Sequence, residues 1–362
     1  MPADRRGERQ AALQRRLADA GLDAQLVTHL PNIRYLTGFT GSAAMLVVDR
    51  HGAVLLTDPR YAVQAPEEAG TAAEIVIEPV NLWTRLGAIL TARRPGGLGF
   101  ERDHFSVRQA ERLDAIGLPR VEPVGGAVES LRVCKDPDEI EAIRAAAALA
   151  IDALEATLAT VRPGQPERSV AARLEFELRE RGSEWHPFQT IVASGPRSAL
   201  PHARTSSRMV ENGELLLLDF GAIVRGYCSD LTRTVVVGAA PDARQQERYD
   251  AVRTAQQAAI SGLRSGMTGR DADAVARESL ARAGLAEAFR HSLGHGLGLE
   301  VHEDPRLAPT AEEPLPAGAV VTVEPGVYFE GWGGIRLEDD VALSAHGPTL
   351  VSPGAPALRA VP

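Results

Sequence analysis

The first third of the chain alternates amphipathic segments with short apolar runs. Residues 8–20 predict a helix that ends at Gly21, since glycine is favoured just beyond a helix. Turn residues such as those at 49–52 separate some of the apolar runs that follow, at residues 24–27, 43–48, 53–56 and 75–77. Strand-length runs interleaved with helices are typical of an α/β domain.

A segment rich in glycine and proline, residues 117–137, then indicates a linker. A long helix is predicted to begin there, because Asp136 can cap it, Pro137 suits its first turn and Glu139 completes a capping box. Its buried face recurs every three or four residues: Ile140, Ile143, Ala147, Ile151, Leu154 and Leu158. We expect the domain boundary near Arg132, which gives domains 1–131 and 132–362.

The second domain mixes helices and strands without a regular alternation. Helices are predicted at residues 166–181, 243–263 and 271–282, and each is followed by a glycine. Strands are predicted at residues 215–220, 232–237, 320–324 and 336–343. This pattern predicts an α+β domain.

Composition and charge narrow the classes of function. The net charge of −9 argues against nucleic acid and anionic membranes as partners, because both favour basic surfaces. The two cysteines, Cys134 and Cys228, form no CxxC pair, which is typical of a reducing compartment. Residues 1–20 lack the apolar core of a signal peptide, and no apolar run reaches the ~20 residues of a membrane helix. We therefore expect a cytoplasmic protein without a membrane partner.

Two aspartates flank a predicted hairpin. Asp219 ends the apolar strand 215–218, and burying a charge there is costly unless something pairs with it. A hairpin centred between Val224 and Arg225 would place Asp230 directly opposite Asp219, about 5 Å away on the same face. An idle, solvated pair of surface acids is the alternative.

A second hairpin repeats this arrangement. Glu324 follows the apolar strand 320–323, and a hairpin centred on Gly331 would place Glu338 opposite it. Four carboxylates brought together at the ends of apolar strands favour a dinuclear metal site, because their charge matches that of two divalent cations.

Histidines strengthen this interpretation. His291, His295 and His302 lie close together in the sequence, and the glycines at 294, 296 and 298 favour a strand or loop over a helix. His202 follows Pro201 in a predicted loop. Other catalytic patterns fail: residue 306 is arginine, so the HExxH motif is absent, and there is no GxSxG or phosphate-binding GxxxxGK[ST].

The segments that carry these residues resemble the pita-bread metallopeptidase family, which includes methionine aminopeptidase, aminopeptidase P, prolidase and creatinase. The matching segments are LLLLDFGA, GYCSDLTRT, HSLGHGLGLEVHE, TVEPGVY and GGIRLEDD. The resemblance implies a creatinase-like α/β N-terminal domain and an α+β pita-bread catalytic domain. Methionine aminopeptidases lack the first domain and creatinases lack the metal ligands, so both are disfavoured.

The resemblance also implies two divalent metal ions and five ligands. Asp219 would bind one metal, Asp230 and Glu338 would bridge both, and His295 and Glu324 would bind the other. A ligand set rich in carboxylates favours Mn²⁺, with Zn²⁺ or Co²⁺ as alternatives. A homodimer is implied as well.

Further roles follow from the same resemblance. Glu324 would shuttle a proton, and His202 and His302 would hydrogen-bond the substrate. His291 would line the proline pocket, and Arg336 would pair with an acid such as Asp230.

The expected activity is that of an Xaa-Pro aminopeptidase, with a proline-containing peptide as substrate. The alternative is an Xaa-Pro dipeptidase, or prolidase, in which Arg306 would bind the free carboxylate of the substrate. A non-catalytic binding module on the same fold is a third reading, although such proteins usually lack ligands that are all present here.

Overall fold

The computed structural model describes residues 4–362 and divides the chain into two compact units, Met1–Arg132 and Val133–Pro362. The division lies one residue from the boundary that the sequence predicts. Among the described residues, none of the helices combines the length and apolarity that crossing a membrane requires.

The first unit is a mixed six-stranded sheet flanked by helices. Its helices are α1 (Arg6–Asp19), α2 (Leu30–Thr37), α3 (Gln64–Ala69), α4 (Leu82–Arg93), α5 (Val107–Asp114) and α6 (Glu129–Arg132). Its strands are β1 (Ala24–Val27), β2 (Ala44–Asp49), β3 (Gly52–Thr57), β4 (Glu74–Ile77), β5 (Leu98–Glu101) and β6 (Val121–Val124). The spatial order is β4-β3-β2-β1-β5-β6, and only β2 runs antiparallel to its neighbours. The predicted α/β class is confirmed.

The second unit carries four long helices: α7 (Pro137–Leu158), α8 (Glu167–Glu180), α9 (Ala243–Gly262) and α10 (Gly269–Arg282). Its strands are β7 (Ile191–Ser194), β8 (Leu215–Phe220), β9 (Ile223–Val224), β10 (Tyr227–Cys228), β11 (Leu231–Val237), β12 (Gly294–Gly296), β13 (Glu303–Leu307), β14 (Val320–Val323), β15 (Gly326–Phe329), β16 (Gly333–Arg336), β17 (Asp339–Ser344), β18 (Gly347–Leu350) and β19 (Ala360–Val361). The two larger sheets have the orders β19-β11-β8-β7 and β13-β12-β14-β17-β18, and two two-stranded sheets pair β9 with β10 and β15 with β16. The predicted α+β class is confirmed.

Apolar clusters join the long helices to the two larger sheets of the second unit. Leu154 of α7 and Leu174 of α8 lie in one apolar cluster with Leu218 of β8. Val252 of α9 lies in a second cluster with Val321 of β14. These two cores hold the strands whose ends carry the predicted site residues.

The strand predicted at residues 336–343 is wrong in its bounds. Residues 336–343 do not form a single strand, because β16 ends at Arg336 and β17 begins at Asp339. The chain leaves its ladder with β15 at this point and joins β14. Leu337 and Glu338 therefore lie between two ladders.

The start of α7 agrees with the prediction in detail. The Asp136 side chain accepts hydrogen bonds from the backbone N–H groups of Asp138 and Glu139, at 3.0 Å each. The Glu139 carboxylate accepts one in return from the backbone N–H of Asp136 at 2.7 Å. The capping box predicted from the sequence is confirmed.

Replacing Asp136 with alanine removes this cap. We expect Asp136→Ala to lower the free energy of unfolding by about 0.5–2 kcal/mol, the usual loss for an N-cap side chain. Urea denaturation followed by circular dichroism measures the change. Asp152→Ala, at an exposed position of the same helix, is the control and should shift stability by less than about 0.5 kcal/mol. Equal losses in the two variants would contradict the role of the cap.

Candidate active site

The first acid-bearing hairpin has a different register from the predicted one. Asp219 of β8 pairs with Thr232 of β11, so Asp230 lies two residues before the direct partner. The turn is shifted because Arg225 and Gly226 adopt positive φ angles of 53° and 81°, as a tight two-residue hairpin turn requires. Asp219 and Asp230 are therefore diagonal neighbours on one face, and the expectation that they stand directly opposite each other is wrong.

The second hairpin has the predicted register. Val323 pairs with Asp339 in one ladder, and Gly326 pairs with Arg336 in the next. Glu324 and Glu338 occupy facing positions between these two ladders, in a hairpin centred on Gly331. The sequence-based placement of this pair is confirmed.

The strand β12 presents His295 to these acids. Close packing explains its flanking glycines: a Cβ added at Gly294 would lie 2.0 Å from the Thr322 carbonyl oxygen, and one at Gly296 would lie 2.2 Å from that of Asp304. Nδ1 of His295 lies 3.0 Å from the Gly296 carbonyl oxygen, so this nitrogen carries the hydrogen. The lone pair of Nε2 is left to face the site, 3.6 Å from Asp230 Oδ2 and 3.6 Å from Glu324 Oε1.

Five side chains converge at this point. Ligand atoms of Asp230, His295 and Glu338 lie within 4.8 Å of one another. Asp219 belongs to the same group, because it lies diagonally across the hairpin from Asp230 on the same face. Oδ1 of Asp219 and Oδ1 of Asp230 are buried and have no hydrogen-bond partner, so a cation would satisfy both acceptor atoms.

Burial dominates the electrostatics of the site. Burial, followed by the charge of Asp219, raises the pKa of Glu338 to about 8. Burial and the charge of Glu338 raise the pKa of Asp230 and that of Glu324. Burial lowers the pKa of His295 to about 4, so this imidazole is neutral at pH 7 and can donate its lone pair.

Arg336 supports Asp219. Its Nη2 donates to Asp219 Oδ2 at 2.5 Å and its Nε donates to Thr232 Oγ1 at 3.0 Å. Arg336 therefore pairs with an acid of the site, as expected, but that acid is Asp219 and not Asp230, the example given above. The hairpin register explains the difference, since it places Asp219 and Thr232 opposite each other and within reach of one guanidinium.

The His291 ring lies beside the acids, but both of its nitrogens are engaged by the protein. Nδ1 lies 2.8 Å from the Ser292 carbonyl oxygen, so Nδ1 is the donor and Nε2 accepts from the Tyr328 hydroxyl at 2.8 Å. Burial lowers the pKa of His291 to about 4. A neutral ring with both nitrogens satisfied suits the wall of a pocket and leaves no nitrogen for proton transfer.

Three further predicted residues lie at the exposed edge of the site. The His302 ring lies 4.5 Å from the His295 ring in an edge-to-face arrangement. Arg306 of β13 is the cross-strand partner of His295 and is exposed. His202 is also exposed, and the carbonyl oxygen of the preceding residue, Pro201, accepts a hydrogen bond from Arg336 at 3.0 Å. His302 therefore lies beside a predicted ligand, and His202 follows a residue held by Arg336, which also bonds Asp219.

Sequence reasoning missed several groups that orient the acids. Thr232 Oγ1 donates to Glu338 Oε2 at 2.6 Å, and Arg233 donates to the Glu338 carbonyl oxygen at 2.5 Å. Asp340 is fully buried, and its Oδ2 accepts from the backbone N–H of Asp230 at 3.3 Å. Thr232 and Arg233 could have been noticed because they follow Asp230 closely, at the start of β11. Asp340 could have been noticed because it directly follows another aspartate in an apolar strand.

Glu167 anchors the segment that carries His202. Its carboxylate is fully buried and accepts hydrogen bonds from the backbone N–H of Ser194 at 2.8 Å and from Ser206 Oγ at 2.6 Å. Arg197 Nε adds a third at 3.1 Å. Both ends of the loop 194–206 are therefore tied to one carboxylate.

Comparisons with known proteins agree with this fold. Metallopeptidase family M24 matches residues 141–345, and the creatinase/prolidase N-terminal domain matches residues 9–134. An Xaa-Pro dipeptidase from Bacillus anthracis has a TM-score of 0.95 and 37% identity, with 98% of this chain and 100% of that chain covered. An X-Pro aminopeptidase from Thermotoga maritima has a TM-score of 0.90 and 36% identity, with 96% and 100% covered.

A curated relative, the Xaa-Pro dipeptidase of Pyrococcus horikoshii, is 35% identical over 328 residues, which are 90% of this chain and 91% of that protein. The predicted two-domain pita-bread resemblance is thus confirmed along the chain. The protein belongs to metallopeptidase family M24 and carries the N-terminal domain found in creatinases and prolidases.

Proposed function

We propose that the protein hydrolyses Xaa-Pro bonds with the aid of two metal ions, and that its preferred substrates are dipeptides. The sequence alone favours an aminopeptidase, but two of the three relatives described above bear the dipeptidase name. The observation that carries the dipeptidase proposal is Arg306, an exposed cation cross-strand from His295 with no ion-pair partner among residues 4–362. A substrate with a free carboxylate beside its scissile bond would supply that partner.

The donor set fits two divalent ions. Asp219, Asp230, His295, Glu324 and Glu338 would hold them, and the two unpartnered carboxylate oxygens would gain a positive neighbour. Four carboxylates and one imidazole favour Mn²⁺, with Zn²⁺ or Co²⁺ as alternatives. When bound, the metals would polarise the scissile carbonyl and lower the pKa of a water molecule at the site.

The remaining chemistry belongs to side chains of this chain. Glu324, whose Oε1 lies 3.6 Å from His295 Nε2, would accept a proton from the attacking water and pass it to the leaving proline nitrogen. Burial and the charge of Arg306 lower the pKa of His302, so this ring is neutral at pH 7 and can donate a hydrogen bond to the substrate carbonyl. His202 follows Pro201, whose carbonyl is held by Arg336, and would also hydrogen-bond the substrate.

The pocket for proline would be shaped by His291 and Tyr328. Their mutual hydrogen bond fixes the imidazole face, and Arg336 donates to the Tyr328 hydroxyl at 3.0 Å. A fixed apolar wall suits the proline ring, which has no N–H to satisfy.

Xaa-Pro aminopeptidase activity on longer peptides is the second candidate, and the T. maritima relative bears that name. A non-catalytic binding module is the third, and the presence of all five predicted ligands argues against it.

A substrate comparison tests the activity. The Mn²⁺-loaded protein is incubated with an Xaa-Pro dipeptide and an Xaa-Pro-Xaa tripeptide, and release of the first residue is followed. We expect faster cleavage of the dipeptide, and no cleavage by Asp219→Asn, which lacks one metal-facing carboxylate oxygen. Faster cleavage of the tripeptide would make the protein an aminopeptidase. No cleavage of either peptide with metal bound would rule out the Xaa-Pro peptidase proposal.

Removing the Arg306 charge tests the carboxylate clamp. We expect Arg306→Met to raise KM for the dipeptide by about 10–100-fold, because a hydrogen bond to a charged group contributes about 1.5–3 kcal/mol. KM for the tripeptide should change little. Arg282→Met, at an exposed arginine that ends α10, is the matched control. An equal rise in KM for both peptides would show that Arg306 does not select the free carboxylate.

Metal affinity should rise with pH between 6 and 8. In the metal-free protein the raised pKa of Glu338, about 8, keeps this carboxyl largely protonated at pH 7, and a bound metal must displace that proton. His295, with a pKa of about 4, holds no proton to displace in this range. Isothermal titration calorimetry with Mn²⁺ in two buffers of different ionisation enthalpy measures the protons released.

The control for this titration is Glu330→Gln, which removes an exposed acid at the hairpin tip and should leave proton release unchanged. Affinity that does not vary with pH, together with no proton release, would contradict the protonated state of the site.

A further inference from the structure

The chain contains a single lysine, Lys135, among 39 basic residues. Its side chain is 1% exposed, and Nζ donates to Glu303 Oε2 at 3.0 Å. Arginine serves at every other basic position. An ammonium is a compact point charge and a guanidinium a wide planar fork, so a fully enclosed site can accept one and exclude the other.

Glu303 holds the turn that joins the two histidine segments. Its Oε1 accepts from the backbone N–H of Glu300 at 3.1 Å, and a Cβ added at Gly298 would lie 2.8 Å from both carboxylate oxygens. The carboxylate thus rests directly on the backbone of the turn. At the start of β13, Glu303 pairs with Gly296 of β12.

Gly296, the cross-strand partner of Glu303, supplies the backbone group that orients His295. The Gly296 carbonyl oxygen accepts a hydrogen bond from Nδ1 of the ring at 3.0 Å. The far end of the turn carries His302. Hydrogen bonds from neighbouring groups to the second nitrogen of a metal-binding histidine fix the direction of its lone pair.

Lys135 is itself fixed from outside the turn. Its backbone N–H donates to the Gly318 carbonyl oxygen at 2.8 Å, just before β14. The Lys135–Glu303 pair therefore links the segment just before α7 to the first residue of β13.

We propose that Lys135 is a positioning residue for the metal site: through its ion pair with Glu303 it holds the turn 297–302 so that His295 and His302 keep their orientation. This inference rests on the proposed function, because it assigns His295 to a metal. It predicts an effect on metal binding that does not depend on any substrate.

The test measures Mn²⁺ binding by calorimetry in the full-length protein. Lys135→Met should weaken the affinity of at least one metal by about 10–100-fold, the usual effect of removing a group that orients a metal ligand. The kcat for the Xaa-Pro dipeptide should fall with it, while KM changes less. Arg181→Met, which removes one of the two arginines paired with the buried Glu177 of α8, is the control and should leave metal affinity unchanged.

A double variant, Lys135→Met with Glu303→Met, separates positioning from simple charge balance and avoids an unpaired buried carboxylate. We expect its melting temperature to be close to that of the wild type, yet its metal affinity to stay weak, because the Glu300 N–H has lost its acceptor. Wild-type affinity in the double variant, or in Lys135→Met alone, would overturn the inference.

The two proposals fail in different ways. A wild-type protein that binds two metals but cleaves no Xaa-Pro peptide would overturn the proposed function. The Mn²⁺ affinities of the Lys135 variants would then still test the positioning role. A wild-type protein that binds no metal would overturn both.

Discussion

Carboxylates crowded together out of water are the constraint on which this structure depends. Asp219, Asp230 and Glu338 are buried, and the Glu324 side chain is 17% exposed. One uncompensated buried charge costs about 3–5 kcal/mol. The whole net stability of a domain is about 5–15 kcal/mol, so four such charges could not persist unbalanced. Arg336 hydrogen-bonds one of the acids, and the others must hold protons or bind cations.

The strands around the site explain how the acids are held so close. Apolar ladders on both sides leave the four carboxylates at strand ends, and neighbouring side chains restrict each of them. Thr232 and Arg233 restrict Glu338, and Arg336 restricts Asp219. Because the ligand side chains are already restricted in the metal-free protein, they lose little conformational freedom when a metal binds. The same groups would keep the ligands from turning towards solvent in the metal-free protein.

Local signals in the sequence predicted much of this arrangement. The capping box at Asp136 and the hairpin centred on Gly331 depend on interactions between near neighbours in the chain, and both were predicted correctly. The turn of the first hairpin was misplaced because it depends on a positive φ at Arg225. Non-glycine residues rarely adopt that conformation, so the sequence did not indicate it.

Contacts between distant segments lay beyond sequence reasoning. The sequence predicted that Arg336 pairs with an acid of the site but could not specify Asp219, because that pairing depends on the register of a different hairpin. Asp340 and Lys135 were missed for the same reason, since each acts on a residue more than a hundred positions away.

Anomalous diffraction from crystals grown with Mn²⁺ tests the central claim most directly, because it locates the ions without any assay of activity. We expect two peaks about 3.5–4 Å apart. Asp230 and Glu338 should lie between them, with His295 Nε2 directed at one. A single peak, or peaks away from these side chains, would contradict the account of why the acids are brought together.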